Sequence, residues 1–293
     1  MRVLGRKRDD PRIVGSAQAI GESELKLFAH DDAQKVLKSV PGVYVREEDG
    51  FGLRPNIGLR GASSDRSSKV TLMEDGVLFG PAPYAAPAAY YFPVMARASS
   101  VEVFKGPASV RSGPQTIGGA INMVTRAVPD RLTASMDVAA GMYGTARAHG
   151  VVGHGNEHFG FLLEGVRLQT DGFKQLDDGG PTGFTKNEAM LKAHAKFGDA
   201  VKQRFELKAG FSDETSHETY LGLDDATFRA TPLRRFAASQ LDRMDWWRTQ
   251  LQLSHTVTAG EDFELHTVAY RHDMHRLWNR LDAFRNGPAL SQV

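Results

Sequence analysis

The sequence predicts an α+β module in its first half and an antiparallel β meander in its second. Three observations predict this. Gly and Pro interrupt short apolar stretches before Arg131, residues alternate with period two from Leu132 onward, and the connections between alternating stretches are short and long in turn. Composition agrees. The 293 residues carry 36 Lys+Arg against 35 Asp+Glu, a formal charge of +1 with His neutral, which argues against a basic nucleic-acid-coating protein. A hydrophobic share of 41% suffices for a core in one or two domains, and 30 Gly favour a turn-rich β chain over a helical one. With no cysteine, disulfides, thiolate metal sites, iron–sulfur clusters and cysteine nucleophiles are excluded together.

The first element is a helix over Asp31 to Val40. Asp31 can cap it, Gln34 stands at the capping-box position, and Ala33, Val36, Leu37 and Val40 follow helical spacing until Pro41 and Gly42 stop it. Val43 to Arg46 is β-like, Asn56 to Gly61 alternates, and Ala62 to Ser68 is a polar loop. Val70 to Met73 forms a strand closed by the turn Glu74-Asp75-Gly76. A Pro- and Tyr-rich loop from Gly80 to Pro93 precedes the strand Val101 to Lys105. Gly106-Pro107, Gly113-Pro114 and Gly118-Gly119 then punctuate the chain before the strand Ala120 to Thr125. The glycines from Gly106 to Gly113 lack the Lys-Ser/Thr pair of a phosphate loop and the spacing of a dinucleotide loop, so they stand for tight turns. No Gly-x-Ser-x-Gly nucleophile elbow occurs.

In the second half, Val201 to Phe211 is the clearest strand. Val201, Gln203, Phe205, Leu207, Ala209 and Phe211 share one face, opposite Lys202, Arg204, Glu206 and Lys208. Met190 to Phe197, Thr249 to Thr258 and, more weakly, Ala134 to Ala140 repeat the pattern. Gly155 to His158, Gly198 to Ala200 and Ala259 to Asp262 are tight turns, whereas Asp171 to Lys186 and Ser212 to Arg243 are long polar excursions. Short turns at one end and long loops at the other are the pattern of outer-membrane barrels. A soluble sandwich shows the same alternation with its apolar face inward, so periodicity alone leaves both open. Trp246 and Trp247 suit either an interfacial aromatic girdle or a core. The opening MRVLGRKRDDPR leads into no apolar stretch, so no export signal of the usual form is present in this chain, and no apolar run is long enough for a membrane helix.

Four segments in order carry a resemblance: VPGVYV at Val40 to Val45, NIGLRG at Asn56 to Gly61, VTLMEDGV at Val70 to Val77, and VEVFKGPASVRSGPQTIGGAINMVTR at Val101 to Arg126. They resemble the plug domain of TonB-dependent outer-membrane receptors. PAPYAAPAAYYFP at Pro81 to Pro93, with ETYLGLDDATF and RRFAASQLDRMDWWRTQ later, is similar to the ferric-citrate-type branch of that family. The resemblance implies an α+β plug domain followed by an antiparallel transmembrane β-barrel segment. Residues 1–12 would be an extension, 13–130 the plug and 131–293 the first part of the barrel. It also implies an outer-membrane location, contact with outer-membrane lipid, and no nucleic-acid partner. The receptor would import a ferric siderophore or citrate chelate as transported ligand, with energy from a TonB complex, no resident cofactor or metal, and no enzymatic step. Barrels of this kind have about 22 strands around a plugged lumen. Residues 131–293 have room for only about seven strands of about 10 residues, so the barrel is expected to be incomplete, and the chain alone is expected not to transport.

The resemblance places Arg66, Tyr84, Tyr90 and Tyr91 on outward plug loops. There a guanidinium fork and aromatic hydroxyls would meet an anionic chelate, and Arg234 and Arg235 lie in the basic loop that meets citrate carboxylates. Arg60 and Lys105 correspond to basic plug positions that pair with barrel carboxylates and latch the plug. Lys105 stands where Arg is usual, and a point charge makes a weaker latch. His272-x-x-His275, with His266 nearby, invites a metal reading, but three residues along a strand put the two side chains on opposite faces. Two rival classes are a plug-like binding or signalling module without a pore, and a soluble β-rich hydrolase or lectin. The latter has no nucleophile motif, paired-carboxylate context or cofactor loop behind it.

Overall fold

A computed structural model of the chain describes residues 16–80, 91–113 and 116–281. The chain forms two compact units, one of Met1–Val128 with His255–His272 and one of Pro129–Ser254 with Asp273–Val293. In the first unit β1 (Ser16–Gly21), α1 (Glu22–Phe28), α2 (Ala33–Leu37), β2 (Val43–Arg46) and β3 (Asn56–Leu59) come first. They are followed by β4 (Val70–Glu74), β5 (Val77–Leu78), β6 (Ala98–Lys105) and β7 (Gly119–Thr125), with a 3-10 segment over Gly106–Ser112. Five strands form a sheet in the order β1-β6-β7-β4-β5, and β2 and β3 make a separate hairpin. Pairing is antiparallel except between β4 and β7, which run parallel from Val70↔Gly119 to Glu74↔Met123. Ile57, Leu59, Val70, Leu72, Val101, Val103, Ala120 and Ile121 are buried, the apolar residues that made these stretches legible as strands.

Two elements carry no such signal. In β1 only Ile20 is buried, and the strand exists because its backbone pairs with β6 from Ser16↔Lys105 to Gly21↔Ser100. Helix α1 buries none of its residues. Glu22 and Glu24 in its first turn and Lys26 in its last suit the helix dipole, and Glu22 also bonds Arg126 at 2.7 Å. The expected cap of α2 moves by one residue: Asp32, not Asp31, accepts the Gln34 N–H at 2.7 Å. The helix is correspondingly shorter than Asp31 to Val40. The Val40 N–H turns back onto the Leu37 carbonyl at 3.0 Å, and the Val40 carbonyl accepts from the Val43 N–H.

The second stretch contains β8 (Thr133–Ala140), β9 (Ala146–Gly155), β10 (Phe159–Thr170), β11 (Gln175–Leu176), β12 (Phe184–Phe197), β13 (Val201–Ser216), α3 (Asp225–Ala230) and β14 (Arg234–Arg235). The long strands β15 (Arg243–Ala259) and β16 (Phe263–Asn279) complete it, and both run through the division between the units. Seven strands make one meander, β16-β15-β13-β12-β10-β9-β8, with β8 and β16 at its edges, a partial and unclosed barrel wall. Strands extend beyond the apolar alternation. Lys186, Asn187 and Glu188 on β12 pair with Glu214, Asp213 and Ser212 on β13, so the ladder continues where polar residues hide the period. Asn156 closes the β9–β10 turn by accepting the N–H groups of His158 and Phe159, both at 2.8 Å.

The sheet is inside out by the standard of a water-soluble protein. On β10, Leu163 is 50% exposed while its neighbour Glu164 is 1% exposed; on β15, Leu251 is 51% exposed while Arg248 is 3%. Phe159, Phe161, Leu191, Leu207, Phe211, Trp247 and Leu253 face outward, and Lys186, Glu188, His194, Lys208, Ser212, Glu214, Gln250 and Ser254 are buried. A sandwich in water puts the apolar face in the core, so the choice that periodicity left open is made here.

Candidate functional site

Burying charge costs free energy unless it is paired, and the wall's inner face pairs it. His149 and Glu164 meet at 2.8 Å, and Lys186 lies 3.5 Å from Glu214 and 3.9 Å from Glu188, with its ammonium 5.5 Å from the ring centre of Trp246. The two adjacent tryptophans part company: Trp246 is buried, while Trp247 is exposed and stacks on His275 at 6.1 Å. His266 bonds Thr256 at 2.9 Å and His272 packs on Tyr270 at 5.3 Å, so each of the three flagged histidines has its own neighbour. Among the described residues no three His, Cys, Asp or Glu side chains gather as a metal site would require.

In the first unit, Arg60 and Lys105 are neighbours. Arg60 sits at φ 52° in the turn after β3, with its N–H donating to the Gly42 carbonyl at 2.9 Å. Its guanidinium lies over Gly106, where a Cβ would come within 2.7 Å of Nη1, and the φ of +72° there is one that glycine adopts without strain. Lys105 is buried and donates to the Pro41 carbonyl at 2.8 Å. Burial, and then the nearby Arg60 charge, hold its ammonium below the usual lysine range. Neither cation has a carboxylate partner among the described residues.

Arg66, at φ 50°, is positioned by Asn56, whose Oδ1 accepts the Arg66 N–H at 2.9 Å while its Nδ2 donates to Glu48 at 2.8 Å. The Arg66 guanidinium is 3.8 Å from Glu48. Tyr91 is a correction. Expected on an outward loop, it is fully buried with its ring edge-on to Phe79 at 5.6 Å, because Phe79, Tyr91 and Phe92 pack together in the core. Tyr84 and Tyr90 lie outside the described residues.

In the second unit, β11 and β14 form a two-residue parallel pair, Gln175↔Arg234 and Leu176↔Arg235, which joins the two long loops. Arg234 grips Asp177 through Nε at 2.7 Å and Nη2 at 3.1 Å, with its guanidinium 5.2 Å from the Phe236 ring centre. The Arg234 hydrogen bond holds the Asp177 carboxyl below its ordinary range. Arg234 is thus a clip between loops. Arg235 donates only to the carbonyls of Pro232 at 3.0 Å and Arg234 at 2.6 Å, has no carboxylate partner among the described residues, and is pushed down from the usual arginine range by burial. Sequence reasoning missed Asp177, 57 residues from its partner. It also missed Asp242, whose two oxygens accept the N–H groups of Tyr220 and Leu281, each at 2.9 Å, and so tie the start and end of the loop between β13 and β15 to the residues that follow β16.

The description TonB-dependent Receptor Plug Domain matches residues 10–120. The match covers the first unit's strands and turns, and the inverted meander follows it in the chain. Among relatives, the vitamin B12 transporter BtuB of Vibrio vulnificus strain CMCP6 is 25% identical over 194 residues, covering 66% of this chain and 31% of the relative. Among solved structures, the ferric citrate transporter FecA in its unliganded form superposes with a TM-score of 0.74 at 20% identity, over 89% of this chain and 40% of that one. The ferric yersiniabactin uptake receptor FyuA of Yersinia pestis gives 0.72 at 19% identity, over 89% and 41%. The chain therefore spans less than half the length of these proteins, and at such identities the structural likeness concerns the fold.

Proposed function

We propose that the chain is the plug, at residues 13–130, and the first wall strands, at 131–293, of an outer-membrane receptor that takes up an anionic ferric chelate, ferric citrate or a similar carboxylate siderophore. A TonB complex would supply the energy, and no bond would be made or broken. The observation that carries this reading is the inverted sheet: apolar Leu163, Leu191, Phe211 and Leu251 outward, charged Glu164, Lys186, Glu188 and Arg248 inward. Arg235, without a carboxylate of its own among the described residues, and Arg66 on the loop after β3 supply donors for the cargo's carboxylates. Arg60 and Lys105 are two cations side by side, an arrangement that favours carboxylates brought from the wall as a breakable latch. Because the sheet is open at β8 and β16, the chain alone does not transport; restored iron uptake by this chain in a receptor-deficient host would refute that.

The test is binding. With the chain in neutral detergent, ferric citrate should quench the fluorescence of its 3 Trp, and Arg235→Gln should weaken the response about tenfold. Cobalamin should have no effect. The reverse selectivity would favour a corrin cargo, the reading that the 25% identity to a vitamin B12 transporter supports. Fractionation provides the second check: a chain that is monodisperse without detergent would sink the membrane reading altogether.

A further inference from the structure

Helix α2 begins with two polar groups that its folding leaves poorly served. Gln34 is 0% exposed, and neither its Nε2 nor its Oε1 has a hydrogen-bond partner among the described residues. An amide in that state has given up the bonds that water would supply, which penalises the folded helix. Asp32, half-buried, caps the helix by accepting the Gln34 N–H at 2.7 Å. Its carboxyl also lies against Gly52, where a Cβ would fall 2.3 Å from both Cγ and Oδ1.

The N–H of the same Gly52 belongs to a second carboxylate. Asp49 is buried, its Oδ1 accepts the N–H groups of Phe51 and Gly52, both at 2.6 Å, and its Oδ2 accepts that of Arg54 at 2.8 Å. One glycine therefore joins two acids, one on its N–H and one against its Cα. Opposing effects then act on the Asp32 charge. The Gln34 N–H and Lys35 favour it, as does the dipole of α2, although the aligned peptide dipoles of a five-residue helix sum to little. Burial, first, and then Asp49 and Glu47 disfavour it and hold the carboxyl above the usual aspartate range. Glu47 is itself paired with Lys38. The unfavourable side wins.

We propose that α2 and the Asp49–Gly52 turn form a clasp in the first unit that opens locally while Asp32 is ionised and closes when Asp32 takes up a proton. Opening moves the Asp32 carboxylate away from Asp49 and gives the Gln34 amide to water, so one motion relieves both penalties. The sign follows from the raised carboxyl: its contribution to closure is complete below the ordinary aspartate value and is lost as pH rises through the raised one. The motion is local because the five-stranded sheet pairs without β2 and β3, which make a hairpin of their own. It is independent of any cargo.

The experiment is hydrogen exchange of the full chain in neutral detergent, corrected for the intrinsic rate at each pH. The reporters are the amides of Val36, Lys38 and Val40, which bond the carbonyls of Asp32, Gln34 and Leu37, with those of β4 as reference. Between about pH 7 and about pH 4 the protection of α2 should rise at least about threefold while that of β4 stays level. Asp32→Asn keeps a capping oxygen and drops the charge, so it should raise the protection at neutral pH by a similar factor and abolish the pH dependence. Gln34→Leu should raise the protection at both pH values and keep the dependence. Protection that ignores pH in the native chain, a change shared equally by β4, or a pH dependence that Gln34→Leu removes would overturn the proposal. So would an Asp32→Asn variant no better protected than the native chain at neutral pH, the outcome expected if the helix dipole governed Asp32.

Discussion

Glu74 at the end of β4 and Arg97 in the Met95–Arg97 turn form an ion pair at 2.9 Å with side chains only 2% and 3% exposed. Substituting Glu74→Leu takes away the carboxylate while the guanidinium stays buried, and breaking such a pair costs about 3–5 kcal/mol. At about 1.4 kcal/mol per decade, the folded-to-unfolded ratio falls by roughly two to three and a half orders of magnitude. With a urea dependence of about 2 kcal/mol per molar, the midpoint should drop by about 1.5–2.5 M. The double substitution Glu74→Leu with Arg97→Met replaces both charges by apolar groups, and its midpoint should return to the native value or pass above it. The assay is pulse proteolysis in urea on the full chain in neutral detergent, following the protected first unit. A shift below about 0.5 M for the single variant, or no recovery in the double one, would refute the argument that pairing is what makes this buried charge tolerable.

The loop clip should respond to acid. Because Arg234 lowers the Asp177 pKa in the folded chain, the clip's contribution is present above the carboxylate's ordinary value and is lost as pH falls through the lowered one. Asp177→Asn should remove that dependence. The readout is hydrogen exchange at the Gln175 and Asp177 amides, which bond the Leu233 and Arg235 carbonyls at 2.8 and 3.0 Å and should exchange faster in the variant. Glu22 follows the same sign. Its carboxyl is held low by Lys26 and then Arg126, so its titration by carbon NMR should move upward in Lys26→Gln, and a carboxyl that stays put would refute the assignment. Gly58→Ala in the NIGLRG segment should cost about 1–3 kcal/mol, since the added Cβ would lie 2.5 Å from the Ala62 carbonyl oxygen; an unchanged urea midpoint would count against that packing.

Much of the architecture was legible in the residues. Strands β3, β4, β6 and β7 lie where apolar alternation and Gly-Pro breaks put them, and the tight turns after β9, β12 and β15 each begin at or beside a glycine. What failed to show was structure made by partners distant in the chain. β1 has no apolar period and depends on β6, more than 80 residues away in the register Ser16↔Lys105. Asp31 and Asp32 are equivalent as caps on composition, and only the turn geometry at Gln34 selects Asp32. The Pro- and Tyr-rich stretch reads as a loop and carries Tyr91 with it, whereas Phe79 claims Tyr91 for the core. Nor do neighbouring residues show that Arg234, a candidate ligand residue, bonds Asp177 from 57 residues away.

By itself the sequence determined the period of each strand, the alternation of turn and loop, and the order of the motifs that mark a plug, because these are written over a few neighbouring residues. Only the tertiary structure decided which face of the meander looks outward and which cations stay without an acid among the described residues. Those outcomes depend on lateral pairing between strands and on contacts across tens of residues, and a two-residue period reads the same whichever way the sheet is turned.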